Sequence, residues 1–283
     1  MIILDEVSMA KLSSLVASAL LFVFLMSSCT SGDLKQNAEI NAINTIEKVR
    51  KNGALRVGTT GDYRPFTYRN PDGAYSGIDI WLAQDLASKL EVKLELVQTS
   101  WKSLTSDLLQ GNFDIAMGGI SITDERQNIG FLTKEYLGTG KAPISRCKDR
   151  NKYRSLEAID RPQVRVIVNP GGTNEKFVNA NLRHALILVF PDNNTIFDQI
   201  SEGQADVMIT DSSEIDLITR INKKLCATTP GKTFDRFGKG YFMLKDKEWN
   251  QYVDTWLTGL VQNHTVEKKY KMALEDFSRE GKK

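Results

Sequence analysis

SDLLQGNFDIAMGGI, Ser106 to Ile120, reads as a helix end, a Gly-x-x-Asp turn and a buried strand, and the same grammar returns in DQISEGQADVMITDS, Asp198 to Ser212. The turn residues are Gly111 with Asp114 in the first copy and Gly203 with Asp206 in the second. A supersecondary unit that occurs twice predicts two similarly built lobes. Outward from these copies, apolar runs at 55–60, 92–98, 113–119, 164–168, 186–190 and 206–210 alternate with helical stretches at 80–90, 101–109 and 195–200. Such alternation predicts an α/β fold of βαβ units, each lobe a mostly parallel sheet flanked by helices. With 41% hydrophobic and 25% charged residues, a chain of 283 is ordinary globular material, large enough for two modest cores. Ligands of open α/β sheets collect beyond the carboxyl ends of the strands, so the expected site is the cleft between the lobes.

The first 28 residues have the pattern of an export signal. From Met9 they carry one lysine, Lys11, then an apolar run from Leu15 to Met26 and a small-residue stretch ending at Cys29. The run is shorter than the roughly 20 residues a membrane span requires. MSSC also resembles a lipobox, with methionine where that motif prefers leucine, so Cys29 is expected to be lipidated and to anchor the chain to a membrane; plain cleavage nearby is the alternative. Asp5 and Glu6 suit a signal poorly, which makes Met9 a second candidate for the start. These features predict a periplasmic protein, signal at 1–28 and linker at 29–45.

Loss of 1–28 removes one base and two acids, moving the net charge from +2 to +3. That bias is weak and the basic residues are dispersed, which argues against a nucleic-acid partner. Besides Cys29, two cysteines remain, Cys147 and Cys226, and in an exported chain a disulfide is the leading reading, with two separate buried thiols as the alternative.

VRVIVNPGGTNEKF, Val164 to Phe177, joins a strand to a helix through Gly171 and Gly172, a turn that aims backbone N–H groups at an anion. It also sets a carboxylate, Glu175, in the first helical turn, where an acid equally complements the helix dipole. Only His184 and His264 are histidines, neither near other ligand types, so zinc chemistry and a histidine-activated nucleophile are not expected. PGG and MGG do not continue into phosphate-loop patterns. No metal and no cofactor is called for.

The segment from about Thr45 to Ala273 resembles the periplasmic solute-binding proteins for polar amino acids. The resemblance is carried by LRVGTTGDYRPFTYRNPDGAYSGIDIWLAQDLA (55–87) and GGISITDERQ (118–127). More narrowly, TTGDYRPFTYR, TSW, GK-x-PI, IVNPGGTNEKF and PDN-x-TIF are similar to the cyclohexadienyl dehydratases, exported enzymes that act on prephenate and arogenate. The resemblance implies the two-lobed type II binding-protein fold with two crossover segments, lobe 1 at 46–140 plus 236–278 and lobe 2 at 141–235. It also implies loss of water and CO2 from a cyclohexadiene, which makes the ring aromatic and needs one proton for the departing hydroxyl.

Set against that chemistry, Glu175 is the candidate general acid. Arg126 matches the arginine that grips a ligand carboxylate, bidentately where geometry allows, and Lys141 faces the second carboxylate. Ser121, Thr173 and the backbone at Gly119 and Gly172 are candidate carboxylate donors. Asn169 is a candidate partner for the leaving hydroxyl or for Glu175. Tyr63, Phe66 and Trp101 are candidate walls for a flat ring. Asp62 would orient a cation or the ring hydroxyl, and Asp211 would meet arogenate's ammonium or hold Lys141. One departure stands out: Gly118 replaces a serine of the dehydratase pattern, which predicts a substrate hydrogen bond either missing or supplied by water. The competing function is a non-catalytic solute-binding component that hands its ligand to an ABC permease.

Overall fold

The computed structural model describes residues 44–280; the expected signal, most of the linker and Cys29 lie outside the described residues. The chain enters through a helix, Thr45–Asn52, capped by Asn44, whose side chain accepts the Glu47 N–H. It stops at Gly53, whose left-handed φ of 67° spares the Cβ penalty other residues would meet. Strand β1 (Ala54–Thr59) follows, then a small meander of β2 (Asp62–Tyr63), β3 (Thr67–Arg69) and β4 (Tyr75–Ser76). Helix Ile78–Lys89, β5 (Lys93–Gln98), helix Leu104–Leu109, β6 (Ile115–Ala116), helix Asp124–Ile129 and β7 (Phe131–Leu132) complete this pass.

Strand β8 (Leu137–Thr139) leads through Gly140 into β9 (Lys141–Arg146) and the second lobe. There β10 (Arg165–Val168), helix Thr173–Asn181, β11 (Leu186–Val189), helix Ile196–Ser201, β12 (Val207–Asp211), helix Ser212–Ile221 and β13 (Leu225–Ala227) follow in turn. The chain returns along β14 (Phe237–Lys239), adds β15 (Phe242–Met243), and closes with helices Lys247–Gln262 and Thr265–Glu280.

The two main sheets have the same architecture. One runs β5-β1-β6-β15-β7, the other β11-β10-β12-β9-β13. In each, the first three strands are parallel, the fourth (β15 or β9) runs antiparallel to both its neighbours, and the fifth returns to the common direction. The antiparallel strands β15 and β9 follow directly on the crossovers, which have no local signature. The crossovers pair with each other as β8 and β14, bringing Thr139 opposite Phe237.

The repeated Gly-x-x-Asp turn has a structural reason. Asp114 accepts the Arg56 N–H at the start of β1 and pairs with the Arg56 guanidinium at 2.7 Å. Asp206 does the same at the start of β10, accepting the Arg165 N–H and pairing with Arg165 at 2.8 Å. Each aspartate thus ties the turn before one strand to the central strand beside it, satisfying a backbone donor at the sheet's end.

Leu55, Val57, Leu82, Leu86, Ile115 and Trp249 form the core under the first sheet. The second sheet buries both faces, with Ile144, Ile167 and Met208 on one side and Val166, Val168 and Ile209 on the other. Near-continuous apolar strands follow from that two-sided burial. Cys147 and Cys226 form a disulfide across a sequence separation of 79, fastening the turn after β9 to β13 and excluding the reading of two separate thiols.

Candidate functional site

Strands β1, β6, β10 and β12 end at the same interlobe cleft, and the loops beyond them furnish its walls. Strand β6 is only two residues long because Gly118 and Gly119, at φ of 149° and 68°, turn the chain out of the sheet. A Cβ on Gly119 would fall 2.6 Å from the Tyr63 ring, so the glycine lets this loop lie flat against the aromatic wall. Thr123 caps the next helix by accepting the Arg126 N–H at 3.3 Å, which fixes the root of the arginine side chain.

The cavity is lined by Tyr63, Trp101, Gly119, Ser121 and Lys239 from the first lobe and its crossover, and by Gly172, Thr173, Asn174, Asn193 and Asp211 from the second. Its volume is only about 20 Å³, close to what one water occupies. The lobes are closed upon each other. Gly171 packs against the Lys102 backbone, Asn193 donates to the Asp62 carbonyl at 2.8 Å, and Lys176 pairs with Glu125 at 2.5 Å on the surface.

At the centre lies Asp211, the last residue of β12, with its carboxylate almost completely buried. Lys141 meets Oδ1 at 2.6 Å and Lys239 meets Oδ2 at 2.6 Å, while the Tyr63 hydroxyl also donates to Oδ2. Burial alone would raise the pKa of this carboxyl, but the two lysines outweigh burial and hold it well below the usual carboxylate range. Lys141 also reaches Thr173 Oγ1 at 2.9 Å and Asn174 Oδ1 at 2.5 Å. Lys239 donates to the Gly119 carbonyl at 2.8 Å and to Ser121 Oγ at 3.1 Å. Arg126 is buried nearby and donates to the Ser121 carbonyl at 2.7 Å. Desolvation lowers its pKa to about 10, so it stays charged at neutral pH. Three cations therefore face one carboxylate, an arrangement with two positive charges to spare for an anionic ligand.

One helical turn behind Asp211 sits Glu214, fully buried in the same cluster. The Thr210 hydroxyl donates to its Oε2 at 2.5 Å and accepts from Asn174 Nδ2 at 3.0 Å. Desolvation raises the Glu214 pKa to about 8, assisted by the neighbouring Asp211 charge and opposed by Thr210 and the lysines. At neutral pH this carboxyl holds its proton.

Of the residues singled out from the sequence, Tyr63, Trp101, Gly119, Ser121, Gly172, Thr173 and Asp211 line the cavity, and Lys141 and Arg126 flank it. Asp62 accepts from the Trp101 indole at 3.0 Å and lines the outer groove. Phe66 is fully buried behind Tyr63, stacked at 5.0 Å between ring centroids, and lies outside the cavity lining. Asn169 is buried behind Asn174 and does not line the cavity either. Glu175 lies beside this wall: in the closed cleft its carboxylate folds back on its own loop to accept the Gly171 N–H at 2.7 Å, and it does not line the cavity. The physical reason is the turn itself, whose free N–H groups capture the first acid of the following helix. Gly118 does not line the cavity, and a Cβ there would come within 3.0 Å of Thr59 and Thr67, at a φ that disfavours side chains. A serine would have to displace those two side chains.

Sequence reasoning passed over Glu214, Lys239, Asn174 and Asn193. Glu214 had one signal, an acid three residues after Asp211 in the helix that follows the repeated strand. Lys239 had none, since it stands alone in a crossover.

A cleft of this kind, between two similarly ordered sheets joined by a paired crossover, is that of a binding-protein class, and the chain belongs to the bacterial extracellular solute-binding proteins, family 3, whose model matches residues 55–274. Within that class the chain is 49% identical, over 75% of its length and 79% of the relative's, to the cyclohexadienyl dehydratase of Pseudomonas aeruginosa (strain PAO1). Among solved structures, an ancestral cyclohexadienyl dehydratase is 47% identical at a TM-score of 0.53, covering 83% of this chain and 98% of that one. An ancestral amino acid-binding protein, described as a precursor of cyclohexadienyl dehydratase, superposes with a TM-score of 0.75 at 32% identity over 81% of this chain and 99% of that one.

Proposed function

We propose that this chain is a carbon–oxygen lyase of the periplasm, a cyclohexadienyl dehydratase that converts prephenate to phenylpyruvate and arogenate to phenylalanine. The observation that carries the reading is the set of three cations, Arg126, Lys141 and Lys239, around a single carboxylate in the cleft, which suits a substrate with two carboxylates. A protein that only binds an anion has use for the cations. An enzyme also needs a proton donor at the ring hydroxyl, the role proposed below for Glu175. The 49% identity to a curated dehydratase supports the same conclusion.

In the proposed reaction the ring carboxylate leaves as CO2, and the electron pair of the broken C–C bond enters the ring. The diene shifts, the C–O bond to the ring hydroxyl breaks, and one proton from the enzyme makes the hydroxyl leave as water. Arg126 and the lysine pair hold the substrate's two carboxylates, and Tyr63 and Trp101 flank the ring. We assign the proton to Glu175, which stands two residues beyond Thr173 of the cavity wall and turns from the Gly171 N–H toward the leaving hydroxyl as the lobes close on substrate, while Glu214, behind Thr210 and Asn174, is a positioning group. The 20 Å³ cavity has no room for a cyclohexadiene, so entry requires the lobes to part and the lysine cluster to re-form around the substrate.

The competing reading, a transport receptor for amino acids, draws on the ancestral binding protein's similar fold. Turnover decides between them. Purified protein lacking residues 1–28 is expected to form phenylpyruvate from prephenate well above the spontaneous rate. Its absence from a folded sample, with arogenate tested alongside, would reject the dehydratase.

A further inference from the structure

We infer that Lys239 is a specificity-determining residue: its ammonium occupies the place beside Asp211 that a ligand's α-ammonium would need, so the cleft favours 2-oxo acids over their 2-amino counterparts. Among the described residues, Asp211 is the sole acid lining the cavity. Any ammonium entering has that carboxylate as its counter-ion, and both oxygens are already met by lysines at 2.6 Å. Asp62, the next acid outward, is turned to the Trp101 indole and the outer groove. The Lys239 ammonium is fixed by further bonds to the Gly119 carbonyl and Ser121 Oγ, and it lies 4.9 Å from the Tyr63 ring centre and 5.5 Å from that of Phe66. Five groups thus hold it in one place, which makes it a built-in cation and not a mobile surface lysine. A ligand ammonium would have to displace it or sit against it, and like-charge juxtaposition costs enough to govern selectivity.

This inference rests on the dehydratase reading for the identity of its substrate pair, and its test has an arm independent of turnover. Phenylpyruvate and L-phenylalanine differ at the tail only by oxo against amino. Titrated into the wild-type protein by calorimetry, phenylpyruvate is expected to bind at least about tenfold more tightly. Equal or tighter binding of L-phenylalanine would overturn the inference, whether or not prephenate is turned over. The second arm is Lys239→Met, which leaves Asp211 paired with Lys141 alone. The ratio of kcat/KM for arogenate to that for prephenate is expected to rise about tenfold relative to wild type, with Lys239→Arg keeping the wild-type ratio. A ratio unmoved by Lys239→Met in folded protein would equally reject the assignment. If the Met variant does not fold, the wild-type titration still decides.

Discussion

The Thr210 hydroxyl donates to Glu214 Oε2 at 2.5 Å, and in the same stroke accepts from Asn174 Nδ2 at 3.0 Å, linking a buried carboxyl to a residue that lines the cavity. The link exists because Thr210 is the penultimate residue of β12 and Glu214 lies in the first turn of the helix that follows. A strand that ends and a helix that begins within four residues face their side chains inward together.

Replacing the proposed acid tests the mechanism directly. Glu175→Gln removes the proton and keeps the side chain's size, so kcat should fall by about 10²–10⁴-fold with KM little changed. Glu214→Gln keeps the acceptor for Thr210 and should retain turnover within about tenfold of wild type. Steady-state kinetics of the two variants would reverse the assignment if the second lost activity and the first did not.

The pH dependence has a defined sign. Glu214 ionises at about 8, and its charge would then sit beside Asp211 and weaken the anion site, so kcat/KM should hold through neutral pH and decline above about 8. Glu214→Gln should lack that alkaline limb. A limb that survives the substitution belongs to another group, such as Lys239.

Stability should respond in the opposite sense to the usual carboxylate. The folded-state pKa of Glu214 is raised from 4.5 to about 8 and that of Asp79 from 3.8 to about 6, both chiefly by burial. The folded protein therefore keeps protons that the unfolded chain releases. Their contribution is fully present below the unfolded values and is lost as pH rises through the folded ones. The urea midpoint should fall between pH 5 and 8, and fall less in Glu214→Gln; an equal fall in both would remove Glu214 as its source.

Gly171 is expected to control closure. Its φ is 80°, and a Cβ there would sit 2.7 Å from the Lys102 backbone in the opposite lobe. Gly171→Ala should hold the cleft open, seen as a larger radius of gyration by small-angle scattering, and reduce kcat/KM by on the order of tenfold or more, since closure aligns the reacting groups. A compact, fully active variant would show that the lobes need not meet at this point.

The Cys147–Cys226 bridge joins positions 79 apart in the sequence. Chain-entropy arguments put the effect of such a cross-link at about 2–5 kcal/mol. Cys226→Ser should lower unfolding stability by that order in denaturant titrations, and alkylation with and without reductant followed by intact-mass analysis should detect the bridge itself.

Much of the fold was legible because it follows local rules. Strands β1, β5, β10, β11 and β12 and the helices between them fall within a few residues of the runs read from apolar patterning. The repeated Gly-x-x-Asp turn announced the two sheets. The antiparallel strands β9 and β15 were not legible as such, since their pairing depends on where the crossovers land. In the cleft, Tyr63, Trp101, Ser121, Thr173 and Asp211 were visible through motifs at strand ends, whereas Phe66 and Asn169 share those motifs and yet pack behind the wall.

What the sequence by itself determined is the order of strands and helices, the pairable cysteines and the loops that meet at the strand ends, because periodicity and turn chemistry act between near neighbours. What only the tertiary structure decided is which acid is sealed from water and which cations surround Asp211. Glu175 and Glu214 both stand in first helical turns, but one folds onto an exposed turn's N–H and the other is sealed from water behind Asp211. Lys239 reaches Asp211 only because a crossover strand returns through the cleft. Desolvation and through-space pairing set these states, and neither is written in the spacing of residues along the chain.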